Sequence, residues 1–262
     1  MRSAFVVCAV LLMVTAAFAA DPGKGVENSG TAVGVEAIGG PDGYGYQYID
    51  STEDTGLEPT YSWVDITGTG TGLGLSDDGE TNIPIGFSFP FYGVDYTDAR
   101  VGNNGGVLLS TTGDVWAGNI CPMPYTGHEH PAFWVFWDDL DTESGDVYYE
   151  TQSSCSHPDC AGACLIVEWY DRPHYPGPGE GTATFEAIFC ETGDIIAQYQ
   201  DLNFGDPALD YGASATVGIE DDTADVTYFL QYSCDTADLA DGLAVKYTTG
   251  PVPVDLQTIN IE

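Results

Sequence analysis

Lysine and arginine are nearly missing from this sequence: there are 5, against 41 aspartates and glutamates, for a formal net charge of −36. A chain so short of cations repels nucleic acid and anionic membranes, which excludes both as partners. Long apolar runs are missing too, except at the N-terminus. That run, Ala4 to Phe18, is too short to span a bilayer comfortably, so no membrane insertion is expected. No window joins a helical period to capping signals, which argues against helical bundles and parallel α/β sheets. Catalytic motifs are also lacking. There is no G-x-S-x-G elbow, and no glycine-rich phosphate loop opens a helix. His128-Glu129-His130 is not a zinc-protease helix, because Pro131 follows it. Carboxylates are so abundant that a glycosidase-like pair has no distinguishing mark. The sequence supports no enzyme.

What is present begins with export. Met1-Arg2-Ser3 is a short basic start, followed by the apolar run and then Ala17-Phe18-Ala19-Ala20. This is the pattern of a secretory signal peptide over residues 1–20, cut after Ala19 or Ala20. One cysteine, Cys8, lies within it. The other six are Cys121, Cys155, Cys160, Cys164, Cys190 and Cys234. An even number in an exported chain reads as three disulfides rather than a zinc site. The expected pairs are Cys121–Cys234 as a long staple, Cys164–Cys190 across a hairpin, and Cys155–Cys160 closing a small loop.

Residues 21–43 have no lasting period and read as a leader. From Tyr44 on, apolar and aromatic runs of strand length alternate with Gly, Asp, Asn and Pro clusters. Strands are expected at Tyr44–Ile49, Tyr61–Ile66, Ile83–Phe89, Gly106–Leu109, Phe133–Trp137, Val147–Thr151 and Leu165–Tyr170. They continue at Thr182–Cys190, Ile195–Asp201, Ala213–Ile219, Val226–Tyr232 and Leu243–Thr248. Phe185, Ala187 and Phe189 share one face, as do Ile195, Ala197 and Tyr199, and Glu191-Thr192-Gly193-Asp194 between them is a hairpin turn. The expected fold is all-β: an antiparallel β-sandwich with long loops, stapled by disulfides, over residues 44–250. Residues 251–262 form an extended tail in which Val252, Val254 and Leu256 alternate with Pro253 and Asp255.

Several pieces, in order, carry a resemblance. Phe133-Trp134-Val135-Phe136-Trp137-Asp138-Asp139-Leu140-Asp141-Thr142, then Gly145-Asp146-Val147-Tyr148-Tyr149-Glu150, resembles the signature of nidogen-like (NIDO) extracellular domains. Val167 to Tyr175 is similar to that family's tryptophan-bearing strand. Phe87 to Gly93 and Val101 to Gly106 are similar to segments that precede such domains in bacterial secreted and surface proteins. The resemblance implies an extracellular module of matrix or adhesion type and brings no catalytic set with it. The cysteine-rich loop from Cys155 to Cys164 departs from the animal pattern.

Calcium is the cofactor this sequence suits best. Asp138, Asp139, Asp141, Glu143 and Asp146 crowd one loop, and hard cations take six or more oxygens by the usual count of about 6–8. The other reading is a solvated acidic hairpin in a chain acidic throughout. Asp77-Asp78 reads as a turn. Trp134, Trp137, Tyr148 and Tyr149 read as core, with a sugar-binding platform as the rival. Three functions follow: a secreted structural or adhesion module binding an extracellular protein or glycan; a fibre subunit self-associating by strand addition through its tail; and an accessory domain to an exported hydrolase.

Overall fold

The computed structural model describes residues 37–124, 131–176, 181–222 and 227–252. Strands among them, numbered in chain order, make two antiparallel sheets. The larger has the order β1 (Ile38–Gly39), β2 (Gln47–Asp50), β14 (Leu243–Thr248), β11 (Ile195–Asp201), β10 (Ala183–Cys190), β9 (Cys164–Arg172), β8 (Asp146–Gln152), β3 (Thr71–Gly72). The smaller has the order β13 (Phe229–Cys234), β12 (Thr216–Glu220), β7 (Ala132–Trp137), β6 (Gly106–Leu108), β5 (Val94–Gly102), β4 (Glu80–Phe91). The sheets pack as a sandwich, and their inner faces share one aromatic core. Trp169 of β9 stacks on Phe185 of β10 at 5.0 Å, and Phe89 of β4 meets Phe189 of β10 edge-on at 5.3 Å. Polar ends of buried rings tie the layers. The Trp169 indole donates to Gly102 O of β5 at 2.9 Å, and the Tyr199 hydroxyl of β11 donates to Val135 O of β7 at 2.8 Å.

The β10–β11 hairpin turns at Gly193, whose φ is +93°, and pairs Phe185 with Tyr199, Ala187 with Ala197 and Phe189 with Ile195. Every residue of β7 is buried, so its sequence shows no alternation. The reason is a bulge: the amides of Val135 and Phe136 both donate to Gly105 O, at 3.0 and 3.1 Å. The extra residue sends Phe133, Val135 and Phe136 to the main core. Ala132, Trp134 and Trp137 join a second cluster on the outer face, with Val115 and Met123. A Cβ on Gly105, where φ is +74°, would lie 1.8 Å from Phe136 O, so only glycine fits there.

Four expectations are corrected. The sheet starts before residue 44: Ile38 and Gly39 pair with Ile49 and Tyr48. Asp42 turns the chain there, accepting the amides of Tyr44, Gly45 and Tyr46 on one oxygen. A strand that was not expected, β5, pairs with an extended β4 around the turn at Tyr92-Gly93, where both φ values are positive. Pro84 and Pro90 are tolerated in β4 because it is a sheet edge. Tyr61–Ile66 is no ladder strand. It is a strap lying against side chains of the larger sheet. The Ser62 amide donates to Gln198 Oε1 (2.5 Å), Val64 to Glu186 Oε1 (3.2 Å) and Ile66 to Glu168 Oε2 (2.9 Å). These three acceptors sit side by side on β11, β10 and β9, since Glu186 pairs with both Gln198 and Glu168 in register.

The fourth correction concerns disulfides. Cys121 pairs with Cys234, a span of 113 residues. Cys164 and Cys190 are directly opposite on β9 and β10, yet they do not bond each other. Each takes a partner from the loop between β8 and β9: Cys155 bonds Cys164 and Cys160 bonds Cys190, with Cα–Cα separations of 5.2 and 5.4 Å. The loop folds back on itself, its Cys155 amide donating to Gly162 O at 2.8 Å. This lays Cys155 beside Cys164 and buries Cys160 with Cys190 on the sheet's outer face. The signal-peptide residues and residues 253–262 of the tail fall outside the described residues, as do His128 and His130.

Candidate functional site

The chain's acidic loop leaves β7 at one end of the sandwich, and a buried network positions it. Asn104 Oδ1 accepts the Leu140 amide at 3.0 Å, and Asn103 donates to Leu140 O. Asn103 Oδ1 also receives the Arg172 guanidinium, whose other arm reaches Ser144 O at 3.0 Å. Arg172 is 2% exposed, and Asp146, Asp141 and Asp77 supply charge that opposes the cost of burying it. Asn104 reaches further, donating to Asp78 Oδ1 at 2.9 Å. The 76–79 turn is thereby drawn beside the loop, although it lies some sixty residues earlier in the chain.

The five expected metal ligands occupy different places. Asp138 is buried and fully engaged. Asp146 faces the other way: its Oδ1 accepts the amides of Gly74 and Val147 at 2.9 and 2.7 Å. Glu143 is exposed. Asp139 and Asp141 remain at the loop's surface side, and the turn adds Asp77 and Asp78. Burial raises the Asp139 carboxyl above its usual range, and the charges of Asp78, Asp77 and Asp138 add to this, against His174. Burial followed by the charges of Asp78 and Asp141 raises Asp77 likewise. Among the described residues, no three of these carboxylates offer oxygens within 4.8 Å of one another; only cysteine sulfurs do, and those are in disulfides.

Asp138 joins two residues from distant parts of the chain. Ser214 Oγ donates to Asp138 Oδ2 at 2.6 Å, and His174 Nε2 donates to Asp138 Oδ1 at 3.1 Å. His174 Nδ1 faces Tyr175 O at 2.5 Å, so both ring nitrogens meet acceptors. Burial pulls the imidazole pKa down, but Asp138, by hydrogen bond and charge, outweighs it and the net shift is upward. A serine, a histidine and an aspartate are thus assembled in the wrong order for nucleophilic catalysis. The serine hydroxyl lies on the carboxylate rather than on the imidazole, whose two nitrogens already face Asp138 and Tyr175 O. The trio ties β7 to the 173–176 segment and to the start of β12. Positions 138, 174 and 214 are far apart in sequence, so no local motif announces them.

A carboxyl pair also exists, Glu168 and Glu186, at 1% and 0% exposure. It lies under the 60–66 strap, closed to any glycan. Burial drives the Glu186 carboxyl well above its usual range and lifts Glu168 to about 7. Trp134 and Trp137 stack at 4.0 Å in the buried outer cluster and present no platform to solvent. No helix among the described residues is long and apolar enough to cross a membrane. A family model described as NIDO related matches residues 55–259. No curated protein and no solved structure matches.

Proposed function

Because the chain belongs to the NIDO-related family, we propose that it is a secreted, non-enzymatic extracellular module that binds a protein or glycan partner through its surface. The observation that carries this reading is that the candidate catalytic groups are committed to structure. The Asp138 carboxylate accepts from Asp139 N–H, His174 and Ser214, and the Glu168–Glu186 pair lies beneath a strap. Three disulfides in a domain with export signals fit an oxidising compartment. The test is capture of extracellular proteins and glycans on immobilised mature protein. Saturable binding that leaves the partner's covalent mass unchanged supports the reading. Cleavage or transfer on the partner overturns it.

Calcium belongs to this proposal as a stabiliser. The supporting observation is the mutual repulsion of Asp77, Asp78, Asp139 and Asp141. A cation would relieve that repulsion by drawing their side chains together, and binding to the native state alone raises stability by mass action. Melting at fixed ionic strength with calcium and with chelator is expected to show a higher Tm in calcium, and a smaller gain in a D139N/D141N variant. Equal Tm values would leave the loop as a solvated acidic surface.

A further inference from the structure

The strap over residues 60–66 crosses the outer face of the larger sheet, between β2 near one edge and β3 at the other. Among the described residues it makes no backbone–backbone bond to that sheet. Side chains hold it instead, and most of them titrate. The Thr60 amide donates to Asp159 Oδ2 at 2.6 Å, and His157 Nε2 faces Thr60 O at 3.1 Å. Gln198 grips Ser62 twice, accepting its amide and donating to its carbonyl at 3.0 Å. The Val64 and Ile66 amides then rest on Glu186 and Glu168. Within 60–66 only Ile66 is buried, against Ile166, Ile188 and Ile196. The apolar anchor is small, so the strap's hold depends on the protonation of the side chains beneath it.

Glu186 Oε1 takes the Val64 amide and the Gln198 side-chain amide, the latter at 2.6 Å, while its buried Oε2 meets no hydrogen-bond partner. Glu168 stands opposite it in register. Glu168 and Asp65 act on Glu186, and Asp65 acts on Glu168, all with one sign of charge. Neither glutamate has an ion pair among the described residues. Of the other groups around the strap, Tyr61 feels Glu186 and Asp241, Tyr148 of β8 pairs with Glu168, and Lys246 of β14 lies one row away, opposite Ile196. Two dry carboxylates side by side are costly, so the closed strap favours their protonated forms. Burial lifts Glu168 to about 7 and Glu186 well above its usual range. Released into water, the carboxyls return toward the ordinary value near 4.5, so rising pH favours the open strap. His157 acts in the opposite direction. Its Nδ1 accepts the Asp159 amide at 3.2 Å, and burial lowers its pKa despite the Asp159 charge, so acid favours opening at that end. We propose that the 60–66 strap is a pH-operated cover: it stays closed while Glu168 and Glu186 hold protons and lifts as both ionise, uncovering Ile166, Ile188 and Ile196 while the sandwich stays folded. This goes beyond the module reading above, which gives the outer face no moving part.

The test is hydrogen–deuterium exchange of the purified protein, read at the amides of Ser62, Val64 and Ile66 and corrected for intrinsic exchange at each pH. From pH 6 to pH 8, Glu168 alone should raise the open fraction about tenfold. Glu186 should add to this and outweigh the opposite effect of His157. The amides of β10 and β11 should keep their protection throughout. Glu168→Gln should remove the tenfold rise that Glu168 contributes. In Glu168→Gln/Glu186→Gln only His157 remains to titrate, so its strap should close more firmly at pH 8 than at pH 6. Wild-type strap protection that is flat or rises from pH 6 to pH 8 would overturn the proposal, whether or not a variant folds. So would strap protection lost only together with that of β10 and β11, or a double variant that opens as the wild type does. None of these readouts involves a partner, so the module reading fails on different data.

Discussion

Replacing Glu168 with glutamine should make the protein more stable above neutral pH and leave it nearly unchanged in acid. The Glu168 carboxyl receives the Ile66 amide of the strap, beside the buried Glu186. Burial raises its pKa to about 7, partly opposed by that hydrogen bond, with Asp65 adding charge. The native state therefore keeps this proton longer than the unfolded chain does. The stability that goes with it is fully present below the unfolded value near 4.5 and is lost as pH rises through about 7. The full shift corresponds to about 3 kcal/mol, and residual solvent screening reduces it to about 2. Glutamine cannot ionise, and its carbonyl oxygen can still accept from Ile66. Urea denaturation of both proteins at pH 4.5, 6 and 8 measures the difference directly. The variant's advantage should grow from near zero to about 2 kcal/mol across that series. A difference independent of pH, or a variant weaker at pH 8 than at pH 4.5, would refute the argument by showing that the ionised carboxylate is what holds the strap.

Three further outcomes follow from the fold. Peptide mapping without reduction should recover Cys155–Cys164 and Cys160–Cys190 rather than Cys155–Cys160. On the chain-entropy account, removing Cys121–Cys234 should cost about 4–5 kcal/mol and removing Cys155–Cys164 about 2–3 kcal/mol, read by denaturant midpoints. Gly105→Ala should lower stability by about 3 kcal/mol or more, because it sets a Cβ against Phe136 O at a left-handed position.

Much of the sandwich was legible because its hairpins are local. Phe185–Phe189 and Ile195–Tyr199 alternate around a glycine turn, and that pattern defines both the strands and their shared face. The 60–66 strap shows where this signal stops. Alternation records an extended chain against a surface, but not whether its amides meet a neighbouring strand or the side chains of Gln198, Glu186 and Glu168. Strand β5 was missed because Asp95, Tyr96, Thr97 and Asp98 show solvent little apolar contrast. The cysteine pairing depended on the path of one loop over a sheet face, and cysteine spacing does not encode that path. The site was least legible. Its acidic loop was visible as a cluster, but Asp78 through Asn104, Arg172 through Asn103, and the Ser214–Asp138–His174 tie are brought together only by the tertiary fold.

That tie is where the central claim is most exposed. A module without catalysis should leave Ser214 unreactive, its proton held by Asp138 at 2.6 Å. Purified protein treated with a fluorophosphonate reagent, and assayed against esterase and peptide substrates, should show no serine adduct by mass spectrometry and no turnover. Asp138→Asn should lower the melting temperature without altering that blank. Labelling of wild-type protein that disappears in Ser214→Ala, accompanied by loss of a measurable hydrolysis rate, would contradict the account and make this trio a catalytic centre.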